Sequence, residues 1–313
     1  MKRSPANVSK IDMKKKSYQE RALFHAEKPF IKLTDKKYDI DSKNGIIVYD
    51  KKPLDPSKTY IGHMGAEQSI FQNRISYGAY THFMRYLHAS KLVRGQDKLV
   101  LDIGSGVSSI GRFLYQTLKK PQYVCIDLDL RLLRQAVNRG FGFCPVLFIQ
   151  RDLYKPLPFK KNTFDYVFAY EVIEHLEEGD SKKLIKEIQR VTKNNGVASI
   201  ATPNNFKKED PKEKANKFRR YKKHKEITSG GVDYHLFEWS YKRLRKFLND
   251  KTKFSITSEF GIGADTMREF NFRDEEFINK MVDFLPSEIA RSLITLDIPE
   301  KAPQMVFDLI KDK

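Results

Sequence analysis

Cysteine is nearly absent from this chain: only Cys125 and Cys144 occur, both within apolar segments. That excludes a disulfide framework and reads as two buried thiols of an intracellular protein. No apolar run is long enough to cross a bilayer, so no membrane span is expected. The opening MKRSPANVSKIDMKKK is basic but lacks the apolar core of a signal peptide, and a cytoplasmic location is expected. Acidic residues are in deficit, with 40 Asp and Glu against 58 Lys and Arg, a formal charge of +18. Such a surplus fits a polyanionic partner, and it also fits a set of solvated lysine faces. With 313 residues and 40% hydrophobic content, the chain can bury a real core, as one large α/β domain with an appendage or as two domains. No internal repeat interrupts it.

A further absence is informative. Lys98 to Gly111, KLVLDIGSGVSSIG, reads as a buried strand that breaks into a glycine turn and then opens a helix. Glycine lets the backbone turn sharply and approach a ligand closely. The following helix N-terminus offers unpaired N–H groups beside it. A dinucleotide site requires G-x-G-x-x-G. Here Gly104 and Gly106 are followed by Ser109 at the third position, and Gly111 stands two residues late, so the spacing disfavours NAD.

The same segment resembles the first motif of class I S-adenosylmethionine (SAM) methyltransferases, an acidic residue followed by G-x-G-x-G, with Ser108 in place of the third glycine. The next strand, YVCID, ends in Asp127, about 20 residues past the glycine turn, where an acidic residue meets ribose hydroxyls in this architecture. Asp129 reads as the cap of the following helix. After a third strand, PVLFIQ, come Asp152, Leu157-Pro158-Phe159, Phe164-Asp165 and the apolar Tyr166 to Ala169, a second point of likeness. By that resemblance Asp152 would accept from the adenine amino group and Leu153 would offer its backbone N–H, while Asp165 is structural. Tyr170 to Leu176, YEVIEHL, is a third hallmark. The resemblance covers roughly residues 98–206. It implies SAM as cofactor, held by Asp102, Gly104, Gly106, Asp127, Asp152, Leu153 and Tyr170. The fold it implies is a Rossmann-like, seven-stranded α/β sheet with helices on both faces.

Around that core, residues 1–97 form a basic arm and an N-terminal cap, and 98–313 the methyltransferase domain with a basic insertion at 207–231. PFIKL and GIIVYD are short β-like runs around an Asn44-Gly45 turn. Met64 to Leu92 follows helical spacing and is rich in aromatics, which suit core packing or a substrate pocket. Ser181 and Ser240 are expected to cap the two helices that follow the fourth strand and the insertion. FSITSEFGIG reads as a sixth strand, Phe277 to Leu285 as helical, and QMVFDLI as an antiparallel final strand. The insertion interleaves Phe218 and Tyr221 with Arg219, Arg220, Lys222 and Lys223, a pattern that can track a phosphate backbone or simply be solvated.

Several acceptors are disfavoured. The fourth strand ends in AYE, unlike the Asn/Asp-Pro-Pro-Tyr/Phe motif of exocyclic-amine methyltransferases. Cys144 precedes a proline and lies before the third strand, poorly placed for C5-cytosine attack. Glu171, His175 and His235 are candidate pocket residues or bases. Alternatively, Glu171, Glu174 and His175 share one face of a helical turn and, with His235, make a two-carboxylate, two-imidazole set suited to a divalent cation. That set and His235-Leu-Phe-Glu-Trp239 resemble the metal-dependent small-RNA terminal 2′-O-methyltransferases. Three functions follow: methylation of a nucleic acid or nucleotide, methylation of a small metabolite, or a non-catalytic scaffold that keeps the fold.

Overall fold

The computed structural model describes residues 16–50, 77–95, 97–116, 121–140, 145–205, 235–262, 299–300, 302 and 304–313. Strand alternation organises it. Along β3 (Leu99–Ile103), β4 (Gln122–Asp127) and β5 (Val146–Gln150), successive residues face opposite sides. Leu101, Val124, Ile126 and Leu147 enter one core cluster, and Val100, Cys125 and Phe148 the other. Both faces are therefore apolar, and both are covered by helices. α2 (Tyr77–Leu92), α3 (Ser109–Gln116) and α4 (Leu130–Arg139) contribute to one cluster. α5 (Glu178–Val191) and α6 (Tyr241–Lys251) contribute to the other.

The remaining strands are the hairpin β1 (Asp39–Asp41) and β2 (Ile46–Val48), then β6 (Phe164–Tyr170), β7 (Thr192–Pro203), β8 (Phe254–Ile262) and β9 (Gln304–Lys311). They form one sheet in the order β1-β2-β5-β4-β3-β6-β7-β9-β8. The run β5-β4-β3-β6-β7 is parallel, and β9 inserts antiparallel between β7 and β8. Strand order reverses at β3, which puts the crevice outside the carboxyl ends of β3, β4 and β6. Among the described residues the sheet has nine strands where seven were expected, because the β1–β2 hairpin adds itself with β2 parallel to β5. The PFIKL run makes only an isolated bridge, Leu33 to Phe159.

The hairpin depends on Gly45. Its φ is +65°, and a Cβ there would lie 2.1 Å from the Leu23 amide nitrogen of α1 (Tyr18–Glu27). α1 starts with a capping box, Ser17 and Glu20 bonding each other's backbone N–H. α4 starts at Asp129, whose carboxylate accepts from Arg131 N at 2.8 Å, as expected.

One capping expectation fails, and a second holds in position only. α5 begins three residues earlier than Ser181, flanked by Glu177. Ser181 lies buried inside the helix and accepts from Trp239 Nε1 at 2.9 Å. Glu178 and Asp180 favour that extra turn because acidic groups suit a helix N-terminus. Ser240 does flank α6, but its side chain makes no capping bond. The helix expected over 64–92 is seen over Tyr77–Leu92, residues 64–76 lying outside the described set. The 207–231 insertion, with Arg219, Arg220, Lys222 and Lys223, also lies outside it, as do Cys144 and Phe277 to Leu285.

Replacing Gly45 by Ala is expected to destabilise the chain by more than about 1 kcal/mol, read as a lower chemical-denaturation midpoint, because both φ and the Leu23 contact forbid a Cβ. A second expectation concerns His25, packed edge-on between Phe24 and Phe30 at ring separations of 5.4 and 5.3 Å. Burial, aided by the charge of Arg21, pulls its pKa down to about 4. Below the ordinary histidine pKa of about 6.5 the unfolded chain binds the extra proton, so His25's contribution is complete above that pH and is lost as pH falls toward 4. The melting temperature should therefore drop across this window, and His25→Leu should flatten the drop; an unchanged slope would refute the assignment.

Candidate functional site

The carboxyl ends of β3, β4 and β5 carry the three aspartates. Asp102 is in register with Cys125, and Asp127 with Gln150, so Asp102 and Asp127 stand on neighbouring strands, with Asp152 two residues past the end of β5. Asp102 is buried and accepts from the Tyr123 hydroxyl at 2.7 Å. Asp127 holds the glycine turn: one oxygen accepts from Gly106 N at 2.8 Å and the other from Asp129 N at 2.7 Å. Burial still pushes its pKa up to about 6 against those backbone donors. Each carboxylate oxygen keeps a second lone pair, so a vicinal diol would add donors that favour the ionised form. Asp152 Oδ1 accepts from Tyr154 N at 2.9 Å, and its own N–H donates to Asp50 Oδ2 at 2.9 Å. Leu153 packs, half-buried, on the core.

The two turn glycines do different work. Gly106 has φ +53° and a Cβ built there would meet nothing within 4 Å, so its backbone lines open space. Gly104 has φ +64°, and its Cβ would lie 2.4 Å from Val172 Cγ2. The segment after β6 therefore presses directly on the cradle.

That segment holds the second half of the site. Tyr170 ends β6 with its ring turned inward, its hydroxyl donating to Ser199 Oγ at 3.0 Å. Glu171 follows with φ +56°, a left-handed conformation costly for any residue with a Cβ. Ile173–His175 then form a short 3₁₀ turn. Glu174 is fully buried. Thr202 donates to its Oε2 at 2.9 Å, while its Oε1 has no hydrogen-bond partner. His175 Nε2 lies 3.8 Å from that Oε1. His235 arrives because Leu236 N and Phe237 N donate to the Glu174 carbonyl, at 2.8 and 3.1 Å. The His175 and His235 rings are 5.2 Å apart. Glu238 accepts from His235 Nδ1 at 2.8 Å, which fixes the proton on that nitrogen because a carboxylate offers none. One ligand atom from each of Glu174, His175 and His235 lies within 4.8 Å of the others. Glu171, expected as a fourth member, turns instead toward α2, where Arg85 Nη1 is 3.6 Å from Oε1. Burial pushes both glutamates up to about 7, opposed at Glu171 first by Arg85 and at Glu174 first by His235.

Arg85, Gln304 and Thr202 were missed by sequence reading. The Arg85 side chain is fully buried; it bonds Gln304 and donates to His82 Nδ1 at 2.8 Å. Gln304 Nε2 in turn lies 3.4 Å from Glu171 Oε2. His88 Nε2, one turn on, sits 2.8 Å from Asp308 Oδ2. An arginine within an aromatic-rich helix was the sign that could have pointed to Arg85.

Residues 100–196 match a family model described as a methyltransferase domain. Those residues are similar in sequence to a methyltransferase domain and sit within a Rossmann-like fold. The match spans β3 through α5 and so contains the cradle, Glu171, Glu174 and His175, but not His235. The methyltransferase fold extends further. A chain of the complex between the Haloferax volcanii Trm112 methyltransferase activator and a methyltransferase aligns over 84% of this chain and 100% of its own, with a TM-score of 0.54 and 14% identity. Haemonchus contortus phosphoethanolamine N-methyltransferase 2 aligns over 73% of this chain and 53% of its own, at a TM-score of 0.48 and 17% identity. In sequence, an uncharacterized protein of Methanocaldococcus jannaschii, MJ0638, is 32% identical over 114 residues, 36% of this chain and 44% of its own length. The chain thus spans less than half the length of that relative. No helix among the described residues is long and apolar enough to cross a membrane.

Arg85→Leu should leave Glu171 without its counter-charge. Breaking a buried ion pair costs about 3–5 kcal/mol, and the 3.6 Å separation with 21% exposure at Glu171 favours the lower end. A loss near 3 kcal/mol by denaturant titration is expected; a loss below about 1 kcal/mol would show that Arg85 does not neutralise Glu171.

Proposed function

We propose that this chain is a SAM-dependent methyltransferase acting on a nucleic acid, with a divalent cation held by Glu174, His175 and His235 and adjoined by Glu171. The observation that carries the reading is the buried carboxylate oxygen of Glu174 that has no hydrogen-bond partner and faces two imidazoles. A buried acceptor without a donor is costly, and a cation is the group that satisfies it together with neutral imidazoles. The donor set mixes hard oxygen and borderline nitrogen, suited to ions such as Mn²⁺ or Co²⁺. Glu238 on His235 Nδ1 is the outer carboxylate that orients a ligating imidazole.

The fit to SAM rests on this chain's own cradle. Gly106 lines open space, Asp127 and Asp152 keep lone pairs at the same sheet edge, and Asp102 stands beside them. In that arrangement Asp127 would meet the ribose hydroxyls, Asp152 the adenine amino group and Leu153 N–H a ring nitrogen, with Tyr170 closing the edge through its backbone. When bound, SAM supplies an activated methyl group on a good leaving group. The chain must then hold the acceptor close and in line and keep water out. His175 and His235 would orient a hydroxyl acceptor beside the cation they hold, which would acidify that hydroxyl; without a cation, their ring nitrogens would take its proton. The nucleic-acid acceptor is supported by the charge of +18 and by the likeness of the Glu-x-x-Glu-His and His-x-Phe-Glu-Trp segments to terminal 2′-O-methyltransferases.

Calorimetry should show SAM binding, weakened roughly tenfold by Asp152→Asn, the worth of one charge-assisted hydrogen bond; no binding by the parent chain would refute both enzyme readings and leave a scaffold. Mn²⁺ titration followed by electron paramagnetic resonance should show one tight site that Glu174→Gln and His235→Ala abolish, without affecting SAM affinity. Mn²⁺ binding that survives both changes would remove the cation. Tritium transfer from labelled SAM to total RNA, and not to a metabolite fraction, is the expected acceptor result; the reverse would establish the small-molecule reading.

A further inference from the structure

The helices α5 and α6 lie side by side with their N-termini together, because Glu178 at the start of α5 bonds Arg243 at the start of α6 at 2.9 Å. Lys253 N, just past α6, donates to Gln189 Oε1 near the end of α5 at 2.9 Å. Between them runs a groove of about 440 Å³ whose walls carry Arg243, Lys182, Lys246, Lys186 and Lys251. Its floor is apolar, made by the buried rings of Trp239 and Phe247. Lys182 extends over both, its ammonium 6.0 Å from one ring centre and 5.8 Å from the other. Two carboxylates, Glu178 and Asp250, enter the groove against these five cations. Glu178 is already shared by Lys182 and Arg243, at 2.7 and 2.9 Å. Lys186, Lys246 and Lys251 have no carboxylate partner among the described residues, and all three are exposed.

The spacing is regular. Lys182 and Lys186 are separated by about 6 Å of helix rise, and Arg243 and Lys246 by about 4.5 Å, so each wall presents a cation at nearly every turn. The groove is joined to the site through Phe237. The Arg243 guanidinium lies 5.1 Å over the Phe237 ring, and Phe237 N donates to the Glu174 carbonyl. The two segments that bring Glu174, His175 and His235 together thus lead directly into the two helices that form the walls.

We propose that the α5–α6 groove is the track for the phosphate backbone of a single-stranded nucleic acid whose end is delivered to the Glu174–His235 cluster. The proposal rests on the nucleic-acid reading above and gives that acceptor a path outside the 207–231 insertion. A line of cations at turn spacing in a concave channel matches a polyanionic strand. A membrane-binding face would add exposed apolar side chains, and Tyr154 is the one large exposed hydrophobic among the described residues, on a different loop.

The test is fluorescence anisotropy of a labelled, unstructured RNA oligonucleotide with the full chain over a salt series, comparing Lys182→Gln/Lys186→Gln/Lys246→Gln with the matching triple arginine variant. Loss of three phosphate contacts should make the log-affinity against log-salt slope shallower by about 2 and weaken binding roughly tenfold to a hundredfold at moderate salt. The arginine variant should bind as the parent does, and SAM affinity should be unchanged in both. An unaltered slope in the glutamine variant, with RNA still bound and still methylated, would overturn the groove while leaving the acceptor reading intact. Absence of tritium transfer to RNA by the parent chain would remove the acceptor reading itself. Tighter, groove-dependent binding to phosphatidylserine vesicles or to polyglutamate than to RNA would also overturn the proposal.

Discussion

A carboxylate withdrawn from water must meet positive charge or donors, or else give up its own charge. At the carboxyl edge of this sheet Glu171 and Glu174 face that constraint together, and the surrounding structure is arranged around it. Arg85 comes in from α2 for Glu171 and Thr202 from β7 for one oxygen of Glu174, while the other oxygen faces His175 and His235 without a hydrogen bond. α2, β7, β9 and the segment before α6 are all tied to this edge by those contacts, Gln304 of β9 among them. The docking of α2 in particular is polar as well as apolar, since His88 pairs with Asp308 one turn from Arg85.

Much of this was legible in the sequence. Short apolar runs bounded by turn residues placed the strands, and Gly104 and Gly106 fell where the chain leaves β3 with positive φ. Asp129 capped its helix because a side-chain acceptor adjoining an apolar stripe has few other roles. The clustering of Glu174, His175 and His235 was readable from spacing and likeness, although about sixty residues separate His175 from His235. What escaped were contacts whose partners are remote in sequence. Arg85 meets Gln304 across most of the chain, and no local pattern encodes that. Ser181 escaped for a different reason: it obeys cap preference, yet Trp239, from a distant segment, claims its oxygen and the helix starts earlier on acidic residues. Glu171 was assigned by helical periodicity to the face of Glu174, but the chain is not helical at that point. Its left-handed φ re-aims the side chain toward α2.

That re-aiming links the two halves of the site. Val172, the next residue, fills the space where a side chain at Gly104 would stand, with 2.4 Å between its Cγ2 and the Cβ position. A strained residue persists only where its neighbours over-determine it. Here Arg85 holds the Glu171 side chain, the Ala201 carbonyl accepts from Glu171 N at 2.9 Å, and Val172 is lodged against the glycine turn. Relaxing Glu171 would move Val172, and Val172 cannot move toward Gly104 without displacing the backbone that Asp127 secures through Gly106. Glu171, Val172 and the glycine cradle are therefore one mechanical unit. Whatever neutralises Glu171 also sets the position of the cradle, which is a physical reason for a sheet edge to keep a buried charge beside a small-molecule turn.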